Sequence, residues 1–263
     1  MGQSNKERKG NLTGQLLFLA AILLVWQLVY LVGVDVLSLW KSYAFPSPYG
    51  VMKRFIQLIS DGSLLKAAAF SLARGMIGYI LSIILGAVLG FLIHHFAYLK
   101  RNLRPLIMGI QTLPSICWVP FSILWFGLTQ TAIIFVVVMG SAFSMAIALD
   151  NAISNVPPIY KKAALTMGAN QRQLYVKVIL PASLPELISG LKQGWSFAWR
   201  ALMSGEVMTT SISLGQTLIT GRNMADINQV MLVMVVIVII GILVDHILFG
   251  RLEYHVRKKR GLI

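Results

Sequence analysis

Acidic residues are scarce in this chain: nine Asp and Glu stand against 23 Lys and Arg in 263 residues, a formal net charge of +14. Charged residues of both signs make up only 12% of the sequence, 57% is hydrophobic, and the mean hydropathy is +0.74. So few charges cannot wet the surface of a soluble domain, so lipid must be the main solvent. Cysteine is scarcer still. The single Cys117 excludes an internal disulfide and a Cys-x-x-Cys metal site within one chain, and reads as a small packing residue. There is no Gly-Lys dipeptide, hence no phosphate-cradling loop, so ATP is not bound by this chain. His-Glu-x-x-His and Gly-x-Ser-x-Gly are also missing, and with them the usual metal-dependent and serine-based enzyme designs. The adjacent His94 and His95 therefore read as interfacial anchors rather than metal ligands.

What the sequence does hold is long apolar runs. A spanning helix needs roughly 20 apolar residues, and six stretches approach that length, near 15–34, 72–96, 106–126, 132–153, 184–208 and 229–249. The first follows Lys6, Arg8 and Lys9, but it is long and lacks a small-x-small cleavage pattern, so it reads as a retained helix rather than a signal peptide. Six spans put both termini on one side. With that side in the cytoplasm, fifteen basic residues fall inside, five outside, and Arg74, Lys192 and Arg200 within or at the ends of spans. This asymmetry is the positive-inside pattern, and it assigns the charge excess to topology rather than to nucleic-acid binding. The expected class is an all-α integral membrane protein with about six transmembrane helices. Residues 1–66 would hold the first span and an external amphipathic segment, 67–250 the core with a cytoplasmic loop at 154–183, and 251–263 a basic cytoplasmic tail.

Three stretches carry finer signals. Gly78, Ser82, Gly86 and Gly90 recur at every fourth position of the second run, a face that lets another helix approach closely. Pro105, Pro114 and Pro120 interrupt the third run around Gln111-Thr112-Leu113-Pro114-Ser115, so its backbone is either kinked or broken beside a pathway. In the loop 154–183, Pro157 and Pro158 suit a helix start and Gly168 a left-handed cap. Asn170 and Gln173 then suit a capping box opening a second short helix, which Pro181 should stop.

That loop reads Lys162-Ala163-Ala164, three residues, Gly168, nine residues, then Val178-Ile179-Leu180-Pro181. It resembles the EAA loop of ABC importer permeases, in which Glu-Ala-Ala, Gly and Ile-x-Leu-Pro keep the same spacing before the penultimate span. Lys162 departs from the pattern by standing where the family has glutamate. Within that family the chain is similar to the nitrate, sulfonate and taurine type through Ser71-Leu72-Ala73-Arg74-Gly75, Gln111-Thr112-Leu113-Pro114, Trp118-Val119-Pro120 and Ala198-Trp199-Arg200-Ala201-Leu202 to Glu206. The resemblance implies a type I ABC importer permease fold in the bacterial cytoplasmic (inner) membrane. It also implies a homodimer, two separate ATPase subunits that carry ATP and Mg, and an extracytoplasmic substrate-binding protein. The coupling residues would be Lys162, Ala163, Ala164, Gly168, Leu180 and Pro181.

The fifth run holds the residues most expensive to bury in lipid. Lys192, Trp195, Trp199, Met203 and Glu206 share one helical stripe, and Arg200 shares another with Ser196 and Ser204. A small anion such as a sulfonate, taurine or nitrate could pass Gln111, Arg200 and these hydroxyls, with Trp195 and Trp199 as a constriction. Alternatively Arg200 and Glu206 are structural, paired to other helices or to a second protomer. Arg74 and Asp245 are weaker pathway candidates that could equally form interhelical pairs or interface anchors. A vitamin precursor or other small heterocycle is the alternative substrate. A gradient-driven secondary transporter would need inverted repeats and buried mid-span carboxylates, which the sequence does not display.

Overall fold

A computed structural model describes residues 3–41 and 43–259. The described residues are overwhelmingly helical and contain no strand. Along the chain come α1 (Gln3–Tyr30), prolonged by a π-turn at Leu31–Val36, α2 (Pro48–Ser60), α3 (Ser63–His95), α4 (Ala97–Ile110) and α5 (Trp118–Phe126). Then follow α6 (Gln130–Ser154), α7 (Pro158–Thr166), α8 (Gln171–Leu174), α9 (Leu180–Val207), α10 (Leu214–Asn223), α11 (Ile227–Val244) and α12 (Arg251–Lys259). Five helical stretches are long and apolar enough to cross a membrane. Where the sixth span is expected, α4 and α5 turn through 92° across the segment holding Thr112 and Pro114, the geometry of a broken span or of a re-entrant loop.

The described residues divide into two compact units. The first comprises Met1–Leu65 and Thr217–Val236. In it α2 starts on Ser47, whose Oγ accepts from the backbone N–H of Gly50 at 2.9 Å, and Pro48 occupies the first turn where its missing N–H costs nothing. Arg54 of α2 reaches Asp226 at 3.0 Å and donates to Gln229 Oε1 at 2.6 Å, while Gln229 donates onward to the Thr217 carbonyl at 2.8 Å. Trp26 Nε1 donates to the Pro46 carbonyl, which ties the amphipathic segment to α1.

The second unit comprises Lys66–Gln216 and Ile237–Ile263, and α6 is its axis. On one side Gly78, Ser82, Gly86 and Gly90 of α3 lie against Val137, Ser141, Met145 and Ala146 of α6, with the Ser141 hydroxyl donating to Ser82 Oγ at 2.7 Å. A Cβ added at Gly86 would stand 2.8 Å from the Ala142 carbonyl oxygen, so the small residues set the distance between the two backbones. On the other side Ala201 and Gly194 of α9 meet Gly140 and Met145 of α6. With neighbours on both flanks, α6 buries Ile133, Val136, Val137, Ala142 and Ala146 almost completely.

The continuity of α9 departs from the sequence expectation. Pro181 does not stop the helix. Gln171 to Val207 form one helical stretch in which α8 passes through a π-turn at Tyr175–Ile179 into α9, with Pro181 in the first turn after it. The Leu180 N–H donates five residues back, to the Tyr175 carbonyl. This wider turn gives the proline ring room that an i→i−4 ladder would deny it. The fifth span therefore begins inside the loop expected to precede it.

Candidate functional site

The loop between α6 and α9 is built from local signals. Pro158 opens α7, and Gly168, at φ +83°, closes it in the left-handed conformation. Gly168 N–H donates to the Leu165 carbonyl and Ala169 N–H to that of Ala164, both at 3.0 Å, the paired bonds of a Schellman cap. Asn170 Oδ1 then accepts from Gln173 N–H at 2.8 Å while Gln173 Oε1 accepts from Asn170 N–H at 3.0 Å, a complete capping box. Ala164 turns inward onto Ile153, Val156, Leu174 and Ile179. Lys162, Ala163 and Leu180 are exposed, as are Ile159, Tyr160, Leu165 and Met167. The loop is thus held from within by a small apolar core and carries exposed apolar side chains beside Lys162 on its outer surface.

A cleft of about 640 Å³ opens along α6 and α9 beside the α4–α5 break. Gln111, Thr112 and Ser115 line it from the break, Asn151 from the end of α6, and Gln193 and Arg200 from α9, with Trp118, Phe143 and Phe197 as the aromatic part of its wall. Arg200 is exposed, its guanidinium 4.7 Å from the centre of the Phe197 ring, and its Nε donates to the Ser196 carbonyl. Such a placement keeps the cation solvated in a span where lipid would not tolerate it. The cleft lining contains one cation and no carboxylate among the described residues.

Of the expected pathway residues, Gln111 and Arg200 line this cleft, Ser204 touches its edge, and the others lie elsewhere. Trp195 and Trp199 form no constriction: they stack at 5.6 Å in the protein interior, Trp195 edge-on to Tyr79 and Trp199 donating from Nε1 to the Ile237 carbonyl. The stripe they share faces neighbouring helices, where Tyr79 and the Ile237 carbonyl receive the two rings. Glu206 is also away from the cleft and completely buried. Its Oε2 accepts from Ser71 Oγ at 2.7 Å and from Gly215 N–H at 3.2 Å, and its Oε1 lies 3.5 Å from Arg74 Nη1. Ser204 lies at the cleft edge through a 3.2 Å contact with Ser115, and Ser196 folds back on the Lys192 carbonyl. Cys117 is exposed at the break instead of packed. Asp245 pairs with Lys192 at 3.0 Å.

One charged cluster escaped the sequence reading. Asp150 of α6 is 1% exposed and lies within 3.0 to 3.3 Å of Lys100, Arg104 and His94, so His94 is a pairing residue as well as an interfacial one. The signal was available: an acid at the end of an apolar run, with three basic residues at 100, 101 and 104 beside another run's end.

A family model described as "Binding-protein-dependent transport system inner membrane component" matches residues 78–261. The chain belongs to this family. A Methanocaldococcus jannaschii protein provisionally named as an ABC transporter permease is 30% identical to this permease over 192 residues, covering 73% of this chain and 72% of that one. A Bacillus subtilis protein provisionally named as an aliphatic sulfonates transport permease is 28% identical, over 91% of this chain and 85% of its own. The nitrate import permease protein of Leptolyngbya laminosa is 27% identical, over 71% and 67%. Among solved structures, the permease fold matches an inward-facing MetNI methionine ABC transporter with TM-score 0.64 at 21% identity, over 74% of this chain and 96% of that one. The protein is a multi-pass membrane protein of the type I ABC importer permease fold.

Proposed function

We propose that this permease carries a small anion, such as an aliphatic sulfonate, taurine or nitrate, along the cleft and into the cell. The carrying observation is Arg200, a cation exposed in a groove whose other polar lining groups are neutral. Field from one cation, with amides and hydroxyls nearby, favours an anion without holding it so tightly that it cannot leave. The relatives named for sulfonates and nitrate support the same substrate class.

The working unit is two copies of this chain with two ATPase subunits, which hold ATP and Mg, and an extracytoplasmic binding protein that delivers the substrate. Both termini face the cytoplasm. The loop 154–183 docks on the ATPase through Lys162, Ala163 and the exposed apolar side chains around them, while Ala164 and Gly168 keep its shape. Leu180 and Pro181 sit where the loop becomes α9, so movement of the loop is passed to the helix that carries Arg200. Residues 1–66 then act as a peripheral span with its amphipathic segment, 67–250 as the transport core and 251–263 as a basic tail. A second substrate class, a vitamin precursor or another small heterocycle, is favoured by Trp118, Phe143 and Phe197, which could stack on a flat ring.

The test is uptake into proteoliposomes holding the permease, its ATPase and its binding protein. Saturable, ATP-dependent uptake of sulfonate or nitrate that falls at least about tenfold in Arg200→Gln, the scale of a lost charge-assisted contact, supports the reading. Uptake of a neutral heterocycle with no response to Arg200→Gln overturns it.

A further inference from the structure

We infer that the cleft contains a second anion station at Asn151, and that Arg104 and Asp150 hold its side-chain amide in the orientation that donates. The inference rests on the anion reading of the cleft and adds a substrate-facing residue and a positioning pair to it.

The chain of contacts begins at the buried carboxylate. Arg104 Nε lies 3.1 Å from Asp150 Oδ2, and Lys100 Nζ lies 3.0 Å from Oδ1, where it also contacts Ser154 Oγ. Arg104 then uses Nη2 to donate to Asn151 Oδ1 at 2.8 Å. A guanidinium has only donors, so the amide atom facing it must be the oxygen. That removes the usual ambiguity over which end of an asparagine is which. The other end of the same planar group, the Nδ2 amino group, has no hydrogen-bond partner among the described residues, and it is the end assigned to the cleft that Asn151 lines. Without the guanidinium, the amide could present either its donor or its acceptor. With it, the oxygen is engaged and the free end is the donor.

Position matters as much as orientation. Gly140 packs on Ala201, and Ala148 on Gly190, so α6 and α9 run antiparallel along the cleft and Arg200 sits level with Gly140. Asn151 lies eleven residues further along α6, about 16 Å at 1.5 Å per residue. Gln193 lines the stretch between them. An anion leaving Arg200 therefore meets neutral donors at the far end. Several weak stations suit passage better than one strong site. The arrangement also keeps the cations of the Asp150 cluster from acting as a trap, since Arg104 is paired to the carboxylate and reaches the cleft only through a neutral amide.

The test uses the complete transporter in proteoliposomes, with nitrate and ethanesulfonate as probe anions. Asn151→Asp keeps an acceptor for Arg104 but turns a carboxylate oxygen to the cleft, and KM for both probes is expected to rise about tenfold, as for a hydrogen bond lost to a charged group. Arg104→Lys keeps a cation for Asp150 but is too short to orient the amide, and is expected to raise KM about threefold while its effect disappears in the double variant with Asn151→Asp, as coupled neighbours behave. An unchanged KM in Asn151→Asp, or an Arg104→Lys effect that persists undiminished in the double variant, overturns the station. Should the wild type take up neither probe, the anion reading fails and the station, which rests on it, falls with it; uptake with an unchanged KM in Asn151→Asp overturns the station alone.

Discussion

Two buried carboxylates of the second unit, Glu206 and Asp150, solve the same problem in opposite ways. Glu206 is sealed: it is 0% exposed, and among the described residues its one ionic partner is Arg74, 4% exposed, and its carboxylate otherwise accepts from the Ser71 hydroxyl and the Gly215 N–H. Asp150 is just as buried at 1%, but its partners Lys100 and Arg104 are 39% and 34% exposed and reach water on their far sides. A sealed pair has no alternative when one member is lost, whereas a wet cluster can recruit solvent and neighbouring cations. The first therefore serves as a fixed strut that joins α3, the end of α9 and the start of α10. The second can move charge and hydrogen bonds around, and one of its arms ends at the cleft.

The largest effect that can break this comparison is expected at Arg74→Leu, which leaves the Glu206 carboxylate buried and unpaired. It should cost about 3 to 5 kcal/mol, most of which returns when Glu206→Leu is added, because an apolar pair of similar volume carries no desolvation penalty. Thermal unfolding of the purified permease in detergent reads this directly. An Arg74→Leu variant as stable as the wild type would mean that Glu206 is neutral or hydrated and the strut description is wrong.

Asp150→Asn is expected to be milder, about 1 to 3 kcal/mol, since its former partners can turn to water while the amide keeps part of the hydrogen bonding. If it costs as much as Arg74→Leu, the cluster is sealed too. The smallest effect is expected at Lys100→Met, about 0 to 1 kcal/mol after screening of a side chain more than a third exposed. This loss should shrink further between low salt and 1 M salt, where the screening length falls to about 3 Å. The Arg74→Leu cost should hardly change over the same range. A salt-insensitive Lys100→Met loss would place Lys100 in the same class as Arg74.

Much of the fold was legible in the residues because lipid imposes simple rules. Long apolar runs, basic flanks and the four-residue spacing of Gly78, Ser82, Gly86 and Gly90 are local patterns that translate directly into spans and a packing face. The caps of the loop were equally local: Gly168 for a left-handed turn, Asn170 and Gln173 for a reciprocal box. Pro181 was misread because a proline's effect depends on the hydrogen-bond register before it, and the π-turn that accommodates Pro181 has no signature in the residue types. Trp195, Trp199, Glu206 and Arg200 lie in one helix within twelve residues, and spacing separates them into stripes without saying which stripe is wet.

By itself, then, the sequence determined that the chain lives in lipid, where its long apolar helices lie, where two of them pack closely and how the loop 154–183 is capped, since each follows from composition or from periodicity over a few turns. The tertiary structure alone decided that α4 and α5 break by 92°, that Arg200 and not Trp195 or Trp199 faces the cleft, and that Arg104 reaches Asn151 across 47 residues. Those outcomes depend on which helix faces α6 from which side, and contacts between distant segments are set by packing in three dimensions rather than by any local preference of the residues that make them.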